Sequence, residues 1–463
     1  MMLARPLKPP AVAITKNTFI RAVVVLIGGS AIAHGITAVA LPVLTRLYTP
    51  ADFSVLAVFS GILSVVSVAA CLRFDIAVSI PEHDVDAVNL LALAVLCAGL
   101  FAAVALLIVI LAPAWVTGIL KQPRIEPYLV MLPVGIFLAG AYSALQMWFV
   151  RNRQFALIAR SRVAQSAASA GTQVGLGALA ITPVGLLVGF VMNTGVACIG
   201  LGYRFLRDKR SRGAQVAASW TGMTAMAKAY QRYPKFSTFE ALFNSAAIQV
   251  PIIIIAALAS GPEAGYLALA MAVMQAPMAL FGTAIAQVFV SKAPAEFRAG
   301  RLGSFTAEVF GGLLKAGAGP IIAAGILAPV AFPLIFGATW ERAGWLVAWM
   351  TPWFVLQLLS SPLSMVLHVV GRQRAALALQ LCALVLRVST VLLASTWWPE
   401  MLPEAYALSG FVFYACYLGC VLALAKVGWA RVLLEFRRAL SLGALWVAVA
   451  TLFALTARIW LRP

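Results

Sequence analysis

The strongest constraint on this chain is a succession of apolar runs, each about as long as a lipid bilayer core is thick, separated by short polar segments. A hydrocarbon layer of about 30 Å takes about 20 apolar residues of helix to cross. Such runs lie near residues 18–45, 53–72, 85–111, 127–149, 160–181 and 183–203, and then near 236–259, 265–290, 308–335, 345–370, 375–397 and 404–425. A thirteenth run, 440–457, is at the lower limit for spanning and either crosses the membrane or lies along it as a short amphipathic tail. The first run, from Phe19 to Thr45, is longer than a signal-peptide core and has no small-residue cleavage site, so it reads as a retained helix. A mean hydropathy of +0.97 with 11% charged residues excludes a string of soluble domains for 463 residues. The expectation is an all-α polytopic membrane protein with 12 core helices.

A net charge of +19 is one mark of a nucleic-acid-binding surface, but its distribution argues against that use. With the amino terminus inside, the inner tails and loops hold 26 Lys and Arg, whereas the outer loops and the extreme carboxyl end hold 6. Such an imbalance orients a membrane protein by the positive-inside rule and places the amino terminus in the cytoplasm. Loops around Arg153, Lys209, Arg298 and Arg372 are then cytoplasmic, and Asp52, Glu126, Glu263, Glu341 and Glu404 face outward. No nucleic-acid partner is expected.

The chain also repeats itself. Residues 131–159 align with 350–378 at a constant offset, matching Met131 with Met350, Pro133 with Pro352, Arg153 with Arg372 and Gln154 with Gln373. A weaker echo pairs Pro42 and the turn at Thr49-Pro50 with Pro251 and the turn at Gly261-Pro262. Six helices per copy is an even number, so both copies run the same way, related by an axis along the membrane normal. This divides the chain into an amino-terminal six-helix bundle over 1–203, a basic cytoplasmic linker over 204–235, a carboxyl-terminal six-helix bundle over 236–426, and a basic segment with the possible extra helix over 427–463. Two parallel bundles suggest alternating access around a shared central cavity. Prolines inside helices, Pro42 and Pro251 first among them, are candidate hinges, although proline is frequent in membrane helices for purely structural reasons.

Ionisable residues inside the membrane are costly and either line a cavity or pair. Arg387 lies about 12 residues into the eleventh run, roughly 18 Å along the axis and so near the midplane. Lys315 lies about 10 Å into the ninth run on the same reckoning and can reach the cytoplasmic interface by snorkelling. His34, mid-helix and titrating near neutrality, and Glu240, at the start of the seventh run, are coupling candidates, with helix packing or an interfacial hydrogen bond as the alternative. Gln249 and Gln357, with Asn244, Gln275 and Gln287, are able to bond sugars or neighbouring helices. Arg73 and Asp75, bonded to each other or across the bundle interface, are candidates for a cytoplasmic gate, with a solvated loop start as the alternative.

No motif points to an enzyme: there is no HExxH, no glycine-rich phosphate loop, and no Ser, His and Asp grouping outside the membrane. No cofactor or metal is expected, and with no nucleotide site, transport has to run on a gradient or on consumption of the product. The six cysteines all fall inside apolar runs without metal-ligand spacing, so they are expected as free, buried thiols.

Several segments carry a family resemblance. RLYTPADF at 46–53, RFDIAVSIP at 73–81, YPKFSTFEALFNSAAIQVP at 233–251, GTAIAQVF at 282–289 and IFGATWERAG at 335–344 together resemble bacterial polysaccharide flippases of the Wzx-like type. The resemblance runs from about residue 18 to 425 and implies membership of the multidrug, oligosaccharidyl-lipid and polysaccharide exporter superfamily. Its fold is two six-helix bundles forming a V around a central cavity. Such flippases move an undecaprenyl-pyrophosphate-linked oligosaccharide across the bacterial inner membrane for O-antigen, capsule or exopolysaccharide assembly. The partners implied are the lipid-linked oligosaccharide, membrane lipids and other polysaccharide-assembly membrane proteins. On this reading Arg387 faces the central cavity and contacts the pyrophosphate or an acidic sugar, because a guanidinium donates two parallel bonds to phosphate oxygens. An ion pair with a carboxylate from a neighbouring helix is its rival. Lys315, Gln249 and Gln357 are further substrate-binding candidates. Two other functions stay open: a drug or cation antiporter of the same superfamily, and a membrane-embedded glycan polymerase or ligase, which is expected to carry a large outer loop.

Overall fold

The computed structural model describes residues 16–208 and 212–460, so Lys209 of the expected linker and the tail before Lys16 lie outside the described residues. Thirteen long helices make up the chain. In the first half they are α1 (Lys16–Leu47), α2 (Pro50–Ala70), α3 (Asp84–Leu111), α4 (Met131–Arg151), α5 (Phe155–Ala178) and α6 (Val184–Arg207). The second half has α7 (Thr238–Leu258), α8 (Glu263–Arg298), α9 (Leu302–Phe336), α10 (Glu341–Ser360), α11 (Gln373–Trp397) and α12 (Leu402–Leu424). The last is α13 (Trp429–Trp460). No strand occurs among the described residues, and eleven helices are long and apolar enough to cross a bilayer.

α8 and α5 are not among those eleven, α5 because its sequence carries Arg160, Arg162, Gln165 and Gln173. α5 is packed between α1 and α6, where two of these polar side chains find protein partners. The Arg162 guanidinium donates to Ser30 Oγ, and Gln173 Nε2 donates to the Leu186 carbonyl at 3.3 Å. The Tyr48 hydroxyl donates to the Gln173 carbonyl at 2.7 Å. Burial, with the Asp52 carboxylate adding to it, pushes the Tyr48 phenol up to about 12, so this donor keeps its proton.

The internal repeat of the sequence is a repeat of packing. In the first half α1 packs on α5, α5 on α6, α3 on α4, α4 on α6 and α2 on α4. Adding six to each label gives the second half: α7 on α11, α11 on α12, α9 on α10, α10 on α12 and α8 on α10. The copies are imperfect where proline differs. α4 runs unbroken to Arg151, whereas the expected 345–370 helix stops at Ser360 and passes through a 3-10 turn, Ser361–Leu363, around Pro362. Without an N–H to give, Pro362 starts that turn instead of continuing α10.

Two further expectations are revised. The 440–457 run is part of a continuous 32-residue helix, α13, that packs on α9, where Trp446 fills the space a side chain at Gly319 would occupy. Long enough to span at 1.5 Å per residue, it is one of the eleven helices that qualify as membrane spans by length and composition. The cysteines are free, but only Cys71 is fully buried; Cys382, Cys416 and Cys420 are exposed on the helix surfaces. An apolar residue in a membrane helix has two apolar destinations, the bundle interior and the lipid face, and hydropathy does not separate them.

The expected linker also folds. Two short helices, Arg212–Val216 and Trp220–Ala229, lie against α3, with Ser219 N–H donating to Asn89 Oδ1 at 3.0 Å.

Candidate functional site

The two halves meet along two seams, α2 against α7 and α8, and α1 against α8 and α9. At the end of the bundle that carries the α1–α2 turn, the seams are locked, and the lock starts from the sequence Thr49-Pro50-Ala51-Asp52. Pro50 opens α2, Thr49 caps it, and Asp52 completes a capping box by accepting from Thr49 N–H at 2.9 Å and from Thr49 Oγ1 at 2.8 Å. That N–H is the one that would otherwise bond the Thr45 carbonyl in the last turn of α1. The freed carbonyl accepts from the Trp340 indole N–H at 3.1 Å, across to the second half. Trp340 is fully buried, edge-on to Phe53 of α2 at 4.9 Å and to Tyr266 of α8 at 6.0 Å between ring centres.

Beside it, Gly265 N–H donates to Ser54 Oγ at 2.8 Å. The backbones approach so closely that a Cβ at residue 265 would stand 1.9 Å from the Pro50 carbonyl oxygen. Gln122 of the α3–α4 connection donates to the Ala256 carbonyl at the same end. Arg342 joins the starts of α8, α10 and α12 by pairing with Glu263 at 3.2 Å and Glu404 at 2.5 Å. The outward-facing set named from the sequence, Asp52, Glu126, Glu263, Glu341 and Glu404, thus collects at one end of the bundle.

Along the α2–α7 seam, Ser245 Oγ donates to the Ser64 carbonyl at 3.1 Å, and Gly61 makes room for Ile253 and Gln249. The α1–α8 seam borders an open cavity of about 120 Å³, lined by His34, Thr37, Ala38 and Leu41 of α1 with Ala272 and Val273 of α8, most of them exposed. His34 therefore lies between the halves. Two prolines bear on this cavity: Pro42 has no N–H for the Ala38 carbonyl, and Pro277 has none for that of Val273, so both lining residues lack their ordinary helix donor.

Arg387 is placed differently from its expectation. Its cavity, about 160 Å³, is lined only by second-half residues, from α7, α11, α12 and the turn after α10, so it lies within that half and not between the two. The arginine is 2% exposed and has no carboxylate partner among the described residues. Its guanidinium carbon sits over the rings of Trp353 at 5.0 Å, Phe413 at 5.3 Å, Tyr414 at 5.7 Å and Tyr406 at 5.8 Å. Nη1 donates to the Ala247 carbonyl at 3.1 Å. That acceptor exists because Pro251, four residues on, cannot bond it. The next carbonyl, Ile248, accepts from the Tyr406 hydroxyl at 3.2 Å. Pro251 of α7 and the buried arginine of α11 are therefore linked through one carbonyl.

The remaining candidates separate. Lys315, in a π turn of α9, is paired with Glu435 of α13 at 3.1 Å, and Glu435 also holds Arg438 at 2.7 Å. This fastens the last helix and takes Lys315 away from a central cavity. Arg73 and Asp75 make no ion pair with each other; Asp75 is buried and accepts from Ser143 of α4 at 2.5 Å, within the first half. The reason is local: Arg73 has a left-handed backbone, φ 59°, which turns the chain between the two residues. The short helix they begin, Phe74–Ala77, does touch the π turn Tyr233–Ser237 that leads into α7. Glu240 is half-buried near the start of α7. Gln249 faces Gly61 on the α2–α7 seam, and Gln357 has a buried Oε1 with no hydrogen-bond partner. The side chain of Gln287 lies outside the described residues, whereas Gln275 is exposed.

Trp340 and Gly265 carry the lock, and sequence reasoning singled out neither. Trp340 stands inside the IFGATWERAG segment, but nothing local says that its partner is the Thr45 carbonyl 295 residues away.

A helical protein of two equivalent halves, bonded to one another at one end and with a cavity on the seam between them, has the fold seen in flippases and multidrug exporters. The structures it is similar to agree. A lipid II flippase, MurJ, in an inward closed conformation matches with a TM-score of 0.68 at 12% identity, covering 95% of this chain and 98% of that one. An inward-facing multidrug resistance MATE family transporter matches with a TM-score of 0.63 at 11% identity, over 88% and 95%. The eukaryotic MATE transporter AtDTX14 matches with a TM-score of 0.56 at 12% identity, over 91% and 98%. At these identities the likeness is one of fold. No curated protein sequence matches the chain. The family model described as polysaccharide biosynthesis protein matches residues 43–343, and the chain belongs to that family.

Proposed function

We propose that this protein is a flippase that carries an undecaprenyl-pyrophosphate-linked oligosaccharide across the bacterial inner membrane by alternating access, for O-antigen, capsule or exopolysaccharide assembly. Its amino terminus is cytoplasmic and the Trp340 end faces outward. The observation that carries the reading is the cross-half lock, in which Trp340 bonds the Thr45 carbonyl and Gly265 bonds Ser54, in a chain of the polysaccharide biosynthesis family. A seal at one end of a two-fold repeat is what alternating access requires of one of its states. Breaking it and forming an equivalent seal at the basic end moves the cavity from one face to the other. His34, in the cavity between the halves, is the coupling candidate; Pro42 and Pro251 are the points where α1 and α7 bend. The 26 to 6 division of Lys and Arg supports the orientation.

A deletion strain tests the substrate class. Loss of surface polysaccharide with lipid-linked repeat units trapped on the inner face supports the flippase. Drug sensitivity with normal polysaccharide overturns it in favour of an antiporter, and repeat units that accumulate on the outer face point to a polymerase or ligase.

A further inference from the structure

We propose that the Arg387 cavity in the second half binds a small inorganic anion of the chloride class, as the counter-ion that the protein itself does not provide. Arginine keeps its charge in proteins and carries five N–H donors. Here one nitrogen bonds the Ala247 carbonyl and the Tyr414 hydroxyl lies within hydrogen-bonding reach of the guanidinium, while Nε and Nη2 are buried and make no hydrogen bond of good geometry. The aromatic faces around it offset part of the cost of burial, but a face is no substitute for an acceptor on the edge of the fork.

Arg387 is itself part of the lining of a polar cavity. It is lined by Asn244, Ser361, Ser364, Gln380, Tyr414 and Tyr417, all side chains that offer an N–H or O–H donor, and no carboxylate lines it. Glu240 lies within electrostatic reach of Tyr417 but is not part of the lining. A cation in such a space meets a fixed positive charge, whereas a small anion meets one guanidinium and a set of neutral donors. At about 160 Å³ the space exceeds the roughly 30 Å³ share of one water molecule several times over, so it holds a small anion with part of its hydration. The anion joins α7, α11, α12 and the turn after α10 at the Pro251 bend. This assignment does not depend on which substrate the protein moves.

The test uses the full chain purified in detergent, with thermal unfolding followed in sodium chloride and in sodium gluconate at equal ionic strength. Chloride is expected to raise Tm saturably, by at least about 2 °C over a hundredfold concentration range, relative to gluconate. Arg387→Met abolishes the increment, and Gln380→Leu moves its midpoint at least threefold to higher chloride. Equal Tm in the two salts, or the same increment in Arg387→Met, overturns the proposal. Should Arg387→Met not fold, the Gln380→Leu midpoint decides, and an unmoved midpoint overturns it. A response to sodium phosphate without one to chloride also overturns it, since the site then takes an oxyanion such as a phosphate headgroup.

Discussion

Replacing Gly265 with alanine adds one methyl group at the tightest point of the lock. The new Cβ would lie 1.9 Å from the Pro50 carbonyl oxygen, whereas a carbon and a carbonyl oxygen in contact keep about 3.3 Å. Both atoms belong to or sit directly on backbone, so no rotamer change relieves the clash, and α2 and α8 must part by about 1.4 Å if the approach is head-on. That movement strains the Gly265 to Ser54 hydrogen bond, with a net contribution of about 1 kcal/mol. It also loosens the edge-on packing of Trp340 on Phe53, about another 1 kcal/mol. Together, about 2 kcal/mol is removed from the sealed state and not from a state with the halves apart, a shift of about 30-fold in the equilibrium. The reporter is Ala57→Cys in a background without the native cysteines. Ala57 is buried, and it lies on the same face of α2 as Ser54 and Gly61, toward the second half. Labelling by a membrane-impermeant maleimide in intact cells should accelerate at least tenfold in Gly265→Ala. Gly282→Ala, on the same helix with nothing within 4 Å of its Cβ, is the control and should not change it. A labelling rate within twofold of the parent in stably expressed Gly265→Ala would refute the lock.

Trp340→Phe keeps the ring and loses the indole N–H, leaving the Thr45 carbonyl without its donor; Ala57→Cys labelling should rise by severalfold, about 1 kcal/mol, and an unchanged rate would show that packing alone seals the end. In Pro251→Ala the new N–H competes with Arg387 for the Ala247 carbonyl, but the helix gains about 3 kcal/mol of propensity, so Tm should hold while polysaccharide export falls; normal export would remove Pro251 from the hinge. Glu435→Gln leaves Lys315 and Arg438 without a counter-charge, so protease access to α13 should increase with export retained, and a loss of export without that increase would return Lys315 to the substrate path. Single cysteines at Arg153 and Arg372 should resist an impermeant reagent in intact cells and one at Glu126 should react; the reverse pattern overturns the orientation.

The architecture was legible because its signals are local and periodic. Apolar runs located every long helix and set most of their ends to within a few residues, with 265–290, 308–335, 345–370 and 440–457 the exceptions, and matched Pro, Arg and Gln at a constant offset announced a repeat that the packing pairs then obey. What hydropathy hides is direction. It counted the cysteines of α11 and α12 as buried when they are exposed, and it passed over the polar side of α5, which neighbouring helices cover. The lock was out of reach for a related reason: a tryptophan, a glycine and a capping turn are each ordinary, and only three-dimensional closure brings them together.

Arg387 marks the boundary between the two kinds of information. Its depth in α11 and the lack of an acidic residue there follow from sequence, and both required a partner from elsewhere. Pro251, a candidate hinge in the sequence, supplies it. The link between them is a rule of helix geometry: a proline orphans the carbonyl four residues before it, so Pro251 names Ala247 as an acceptor in search of a donor. A buried cation near the same depth on another helix is the natural claimant, and the 3.1 Å bond is its realisation. Sequence alone does not say that α7 and α11 are neighbours. The repeat does, however, since α1 packs on α5 in the first half and α7 and α11 are their counterparts. The first half has Ala168 where the offset would place Arg387, and Pro42 there leaves Ala38 without a matching cation. The two bends are thus chemically unequal. The second half fixes its freed carbonyl to a buried arginine, whereas the first half has its own on a residue that lines the cavity between the halves. Of the two candidate hinges, Pro42 is the one whose freed carbonyl no buried cation ties down.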